Sequence, residues 1–208
     1  MNQIERSLKK QGISKNLVKK IRKITKLLIP YQSTCDLILV LLGEKFATEL
    51  DLYEKYSDPP NKVRKILEEA GLIVLPKKII EQNRVVSRSN PPTREATKSA
   101  VFCISLVEKY ARKLLHLSSF KDHADYGRLM GIPETAIQAF LKDEILEMEK
   151  HDSLTKKDPM LSFFGLSKTN YKEELKLMKK WRRLLILYAP EFVKEFRRNI
   201  HKIRKKVI

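Results

Sequence analysis

Cysteine is nearly absent: the chain has two, Cys35 and Cys103, far apart and in apolar surroundings. They match neither a metal-ligand spacing nor a redox CxxC pair. That excludes a disulfide framework and predicts two small core residues. Glycine is also scarce, six in 208 residues, while Lys, Glu, Ile and Leu abound, so composition favours helix over sheet. No glycine-rich phosphate loop, serine elbow or zinc spacing occurs, so the common signatures of nucleotide, hydrolase and zinc chemistry are missing. Long apolar runs are missing too. The longest, Leu37–Leu42 and Leu184–Ala189, are far too short to span a bilayer. The opening MNQIERSLKK has no apolar leader core, so we expect a soluble cytoplasmic protein without a membrane partner.

What is abundant is positive charge, and it is unevenly placed. Of the net +18, residues 1–30 carry +8 and residues 172–208 carry +9, leaving +1 for everything between. Charge needed only for solubility would be spread; concentrated charge marks a face for a polyanion. Both basic ends read as amphipathic helices. Ser14 caps the first, which places Leu17, Ile21, Ile24 and Leu28 on one face and Lys15, Lys19, Arg22, Lys23 and Lys26 on the others. A second starts at Asn170, with Glu173 completing a capping box. It would bury Leu175, Met178, Trp181, Leu185 and Tyr188 and expose Lys176, Lys179, Lys180, Arg182 and Arg183. Beyond Pro190, Phe192, Phe196, Ile200, Ile203 and Val207 form an apolar stripe. Its outer face holds Lys194, Arg197, Arg198, Lys202, Arg204, Lys205 and Lys206.

Between the ends, the run Asp36–Leu42 fits a buried strand or the first turns of a helix, with helix favoured because no turn chemistry follows except Gly43, and Phe46, Leu50, Leu52 and Tyr53 read as helical to about residue 56. Ser57-Asp58-Pro59-Pro60 breaks the chain, and a helix over 62–70 closes at Gly71. Residues 72–75 and 79–86 read as short strands with a bend at Pro76. The polar, proline-containing stretch 87–94 marks a boundary, dividing an N-terminal region 1–89 from a C-terminal region 90–208. A long central helix is expected over 96–117, with Val101, Ile104, Val107, Tyr110 and Leu114 inward. Phe163 and Phe164 plug a loop packed under the C-terminal helices. The fold class expected is mainly α (α+β): a helical core, one small β-hairpin and basic amphipathic helices at both termini.

Residues 121–140 are the least generic segment. Asp122, His123, Asp125 and Tyr126 lie close together, with Gly127 and Gly131 as punctuation and Pro133 opening a further helix, which continues to about Lys150. His123 and Asp125 read first as helix caps; an acid–base or metal site centred on them is the chemical alternative. The run HADYGRLMGIPETAIQAF resembles an H…GxxxG-[YI]-P…F pattern found in a small, mainly archaeal family of uncharacterised proteins, over about residues 84–140. The resemblance implies a related fold and an archaeal source. Ile132-Pro133 and Thr135-Ala136 stand where the pattern carries Tyr-Pro and cysteines, so no thiol or metal chemistry is carried over.

The leading expectation is a non-catalytic RNA-binding protein, acting on ribosomal RNA or a ribosomal subunit to regulate or silence it. Basic helix faces would grip phosphates, with no cofactor or metal and with homodimerisation open. Two alternatives stand beside it. One is a winged-helix DNA-binding regulator, since breaker, helix, EEAGLI and basic hairpin give that outline. Against it, Glu68 and Glu69 on the recognition helix, and Glu49, Asp51 and Glu54 before it, would oppose phosphates. The other is an enzyme centred on His123 and Asp125.

Overall fold

The computed structural model describes residues 14–54, 57–87, 93–117, 121–147, 150, 151, 153 and 164–207, with backbone alone over 80–97 and 199–207. It divides into two compact units, residues 1–116 and 117–208. The fold is mainly α (α+β), helices with one small antiparallel sheet.

In the first unit, α1 (Lys15–Ile24) is held by an apolar stripe of Val18, Ile21 and Ile24. The stripe is rotated from the expected face: Leu27 is buried and Leu28 is 63% exposed. In α2 (Tyr31–Leu41), Leu37, Ile38, Leu39 and Val40 are fully buried, so the helix is covered on all sides rather than one. Chain from Ala47 to Tyr53 forms a strand, β1, where a helix was expected. The segment ATELDLY alternates at period two, which buries Thr48, Leu50 and Leu52 on one face. After the Pro59-Pro60 break comes α3 (Pro60–Glu69), closed as expected by Gly71 at φ +87°.

β2 (Ile73–Ser87) is one strand with a bulge at Pro76–Lys78 rather than two short ones. β3 (Thr93–Ser105) occupies most of the expected central helix, which is corrected to a strand followed by α4 (Glu108–His116). The sheet order is β1-β3-β2, all antiparallel. As the middle strand, β3 is paired on both sides, and its apolar run Ala100–Ile104 reflects burial on both faces. Lys77 donates to Glu49 of β1 and to the Leu114 carbonyl (3.0 Å), fixing α4 over one face. Alternation puts Thr48, Leu50 and Leu52 on the other face, where α2 packs. These pairings hold 93–105 inside the first unit, which runs to His116.

The second unit contains α5 (His123–Leu129), α6 (Glu134–Leu141), α7 (Tyr171–Tyr188) and α8 (Pro190–Val207). α6 stops well short of Lys150. Asp143 adopts φ +56°, and the chain turns into an extended bridge between Ile145 and Ser167. Leu146, Leu166 and Met178 form a core with Phe164 against it, and Phe164 meets the Trp181 ring edge-on at 5.9 Å. Phe163 lies outside the described residues.

Candidate nucleic-acid interface

In the first unit, α1 and α3 pack together and join two basic surfaces. Burying Val18, Ile21 and Ile24 leaves Lys15, Lys19, Arg22, Lys23 and Lys26 exposed. Burying Val63 and Leu67 does the same for Lys62, Arg64 and Lys65. The helices are latched by reciprocal bonds: the Leu28 N–H donates to Asp58 Oδ2 (2.8 Å), and the Asp58 N–H to the Leu28 carbonyl (2.7 Å). Between them lies a cleft of about 290 Å³, lined by Lys23, Lys26, Lys62, Leu27, Ile66 and Glu69. Of its three lysines, Lys62 is bound by Asp58 (2.7 Å) and Lys23 by Glu69 (2.8 Å), which leaves Lys26 without an ion pair to a described residue.

Four of the five acids that argued against this element, all but Glu54, are accounted for by the tertiary structure. Glu69 is bound by Lys23 (2.8 Å), whose hydrogen bond and charge hold its pKa below the usual value. Glu68 pairs with Arg64 one turn away (2.7 Å). Glu49 and Asp51 belong to β1, not to a helix before α3; Glu49 is bound by Lys77, and burial raises the Asp51 pKa. Lys15, Lys19, Arg22 and Lys26 have no carboxylate partner among the described residues, while Lys65 adds to the charge that holds Glu69 ionised.

The sheet adds an arm. β1 pairs with β3 only over Ser99–Ser105, but β2 and β3 stay paired out to Ser87 and Thr93. The last part is therefore a two-stranded ribbon, about 20 Å long at ~3.4 Å per residue. Residues 78–98 carry a net +3, with Arg84 and Arg94 at ribbon positions. Arg88, in the connection, lies outside the described residues.

In the second unit, α7 and α8 pack on each other. Met178, Trp181 and Leu185 are buried as expected, with Phe192, Val193 and Phe196, while Leu175 and Tyr188 are half-buried. Lys176, Lys179, Lys180, Arg183, Lys194 and Arg198 are exposed, and Arg182 and Arg197 half-buried. Lys176 pairs with Glu173 (2.7 Å). Lys202, Arg204, Lys205 and Lys206 lie along α8, with side chains outside those described, as are those of Ile200, Ile203 and Val207. The Asn170–Glu173 capping box does not form. Instead Glu174, 2% exposed, accepts from the Ser167 N–H (2.7 Å), the Ser167 hydroxyl (2.8 Å) and the Thr135 hydroxyl (2.7 Å).

His123 and Asp125 are not caps. Asp125 is paired with Arg128 (3.0 Å), which also grips Glu134 through two 2.8 Å bonds. The His123 ring meets Phe140 edge-on at 5.0 Å, at a cavity of about 350 Å³ also lined by Tyr126, Gly127, Phe164 and Gly165. No His/Cys/Asp/Glu group able to hold a metal occurs among the described residues, and none of their helices is long and apolar enough to cross a membrane. The Arg128 bonds lower the Glu134 pKa to about 2. A depressed acid contributes stability above its ordinary value, lost as pH falls through the folded one. An NMR titration of Glu134 should therefore show a midpoint near 2, and Arg128→Ala should return it toward the ordinary glutamate range.

No family model, no curated protein and no solved structure matches this chain. The periodicity did not reveal that Lys62 lies with Lys23 and Lys26 at one cleft. The signal was Asp58-Pro59-Pro60, which starts α3 beside the end of α1.

Proposed function

We propose that the protein acts by binding and that its first unit grips double-stranded nucleic acid in the manner of a winged helix. The observation that carries the reading is the exposed cationic side of α1, where Lys15, Lys19, Arg22 and Lys26 have no ion pair to a described residue, beside α3 in a unit whose β2–β3 ribbon extends past the sheet. Clustered lysines neutralise phosphates and release counterions. An exposed helix and a two-stranded ribbon are the two elements that B-form DNA admits to its major groove. Among the described residues the unit has a single helix between β1 and β2, where a full helix-turn-helix has two. Backbone gripping is therefore favoured over base reading.

A second reading assigns the contact to α7 and α8, on ribosomal RNA or a ribosomal subunit, with a regulatory or silencing role. The outward cations of those helices, set on a buried aromatic core, support it. Structured RNA is held through phosphates and shape, which suits such a face.

Affinity for duplex DNA, structured RNA and ribosomal subunits, each across a salt series, separates the two. With Lys26, Lys62 and Lys65 changed together to Glu, duplex binding should be lost. The log–log salt slope should flatten by roughly 0.9 per phosphate contact removed. With Lys194, Arg197, Arg198 and Lys202 changed to Glu, duplex binding should hold. The opposite pattern, subunit binding lost only in the second variant, transfers the function to α7 and α8.

A further inference from the structure

We propose that the cavity of the second unit binds a small, uncharged aromatic molecule of one or two rings, independently of which nucleic acid the protein holds. Its volume, about 350 Å³, stands at the lower end of ligand pockets, ~300–1,000 Å³. That suits one or two fused rings and excludes a dinucleotide-sized cofactor. Its lining is apolar and rich in rings: Tyr126, Phe140, Phe164 and the His123 imidazole. Two of these are already set by other rings, His123 by Phe140 and Phe164 by Trp181. A planar guest would meet them edge-to-face or offset, the arrangement their quadrupoles favour.

The cavity is built rather than left over from loose packing. At Gly127 the Ile137 side chain comes within 3.0 Å of where a Cβ would stand, so the missing side chain lets α5 and α6 close on each other. Glu174 then ties α6, through Thr135, to the segment opposite, through Ser167 two residues from Gly165. One buried carboxylate thus holds two walls in register. Such preorganisation removes much of the ordering cost of binding.

The charge of the ligand follows from what the lining lacks. Among the described residues no Lys, Arg, Asp or Glu side chain lines the cavity, so a charged guest would lose water without gaining a counter-ion from them. Along the sequence, residues 117–171 carry a net −2, and Asp122 and Asp125 lie on either side of His123. A phosphodiester chain would be repelled there, which argues against an extruded nucleobase and sets this site apart from the cationic faces. His123 and Tyr126 are the polar side chains in reach, enough to orient one ring N–H or O–H.

The test is calorimetric titration of the full-length protein with indole, alongside indole-3-acetate, tryptamine and adenosine monophosphate. Indole should bind saturably at one site, and each charged analogue about tenfold or more weakly. Gly165→Leu should abolish binding: a Cβ there meets nothing nearer than Ile145 Cγ2 at 3.9 Å, so the fold tolerates the plug. Phe140→Ala removes a half-exposed ring and should weaken indole about fivefold, with circular dichroism unchanged for both variants. Absence of saturable indole binding overturns the proposal. So does indole affinity unchanged in a folded Gly165→Leu, or a preference for adenosine monophosphate or indole-3-acetate.

Discussion

Replacing Lys45 with methionine should destabilise the first unit by about 3–5 kcal/mol, while replacing Asp36 and Lys45 together with leucine and methionine should cost little or stabilise it. The two form an ion pair at 2.7 Å with side chains 11% and 3% exposed, Asp36 on the fully covered helix α2. Burial holds the Asp36 pKa above its ordinary value although the ammonium opposes the shift. Desolvation therefore outweighs attraction, and ionising Asp36 costs native stability. Removing one partner leaves the other charge buried and uncompensated; removing both takes away the desolvation cost with the attraction. Denaturant unfolding of the two variants checks this. Equal losses in both would mean that the pair itself stabilises the fold.

Glu174→Leu should cost the second unit about 2–5 kcal/mol, seen as a lower unfolding midpoint. The carboxylate is the acceptor for the buried Ser167 N–H and hydroxyl, and each buried donor left unmade costs ~1–3 kcal/mol. The third donor, the exposed Thr135 hydroxyl, can turn to water and adds little. Glu174→Gln keeps one acceptor but turns an amide N–H₂ toward the donors, so it should fall between wild type and Glu174→Leu. Because Glu174 also joins two walls of the cavity, Glu174→Leu should weaken indole binding along with stability. A stable Glu174→Leu variant would show that apolar packing around Trp181 alone holds the segment.

The candidate interface was half legible in the sequence. The basic, amphipathic design of α1 and α7 shows in their periodicity, and the buried anchors Ile21, Ile24, Met178, Trp181 and Leu185 follow from it. The objection to α3 rested on counting Glu68, Glu69, Glu49, Asp51 and Glu54 as one acidic approach. Chain order cannot reveal that Lys23 reaches Glu69 across 46 positions, or that Lys77 reaches Glu49 across 28. Electrostatic screening by a partner depends on distance in space, so it appears only once α1 lies against α3 and β2 lies in the sheet with β1.

The helix errors have the same origin. In β1 the alternation of Thr48, Leu50 and Leu52 was present, but the helical spacing of Phe46 and Leu50 competed with it. What decides for strand is pairing with β3, Ala47 opposite Ser105. Val101 and Ile104 of β3, with Val107 just beyond it, also happen to fall at helical spacing, and a strand buried on both faces carries no alternation to contradict it. By itself, then, the sequence determined what acts within a turn or two of chain: the basic amphipathic helices, the Gly71 stop, the proline breaks and the placement of charge at the two ends. The tertiary structure alone decided which cations share a cleft, which acids are already bound, and where a ring-lined cavity opens between α5, α6 and the Phe164 segment. Those depend on contacts between residues distant in the chain, where local preference is silent and packing, desolvation and pairing set the energy.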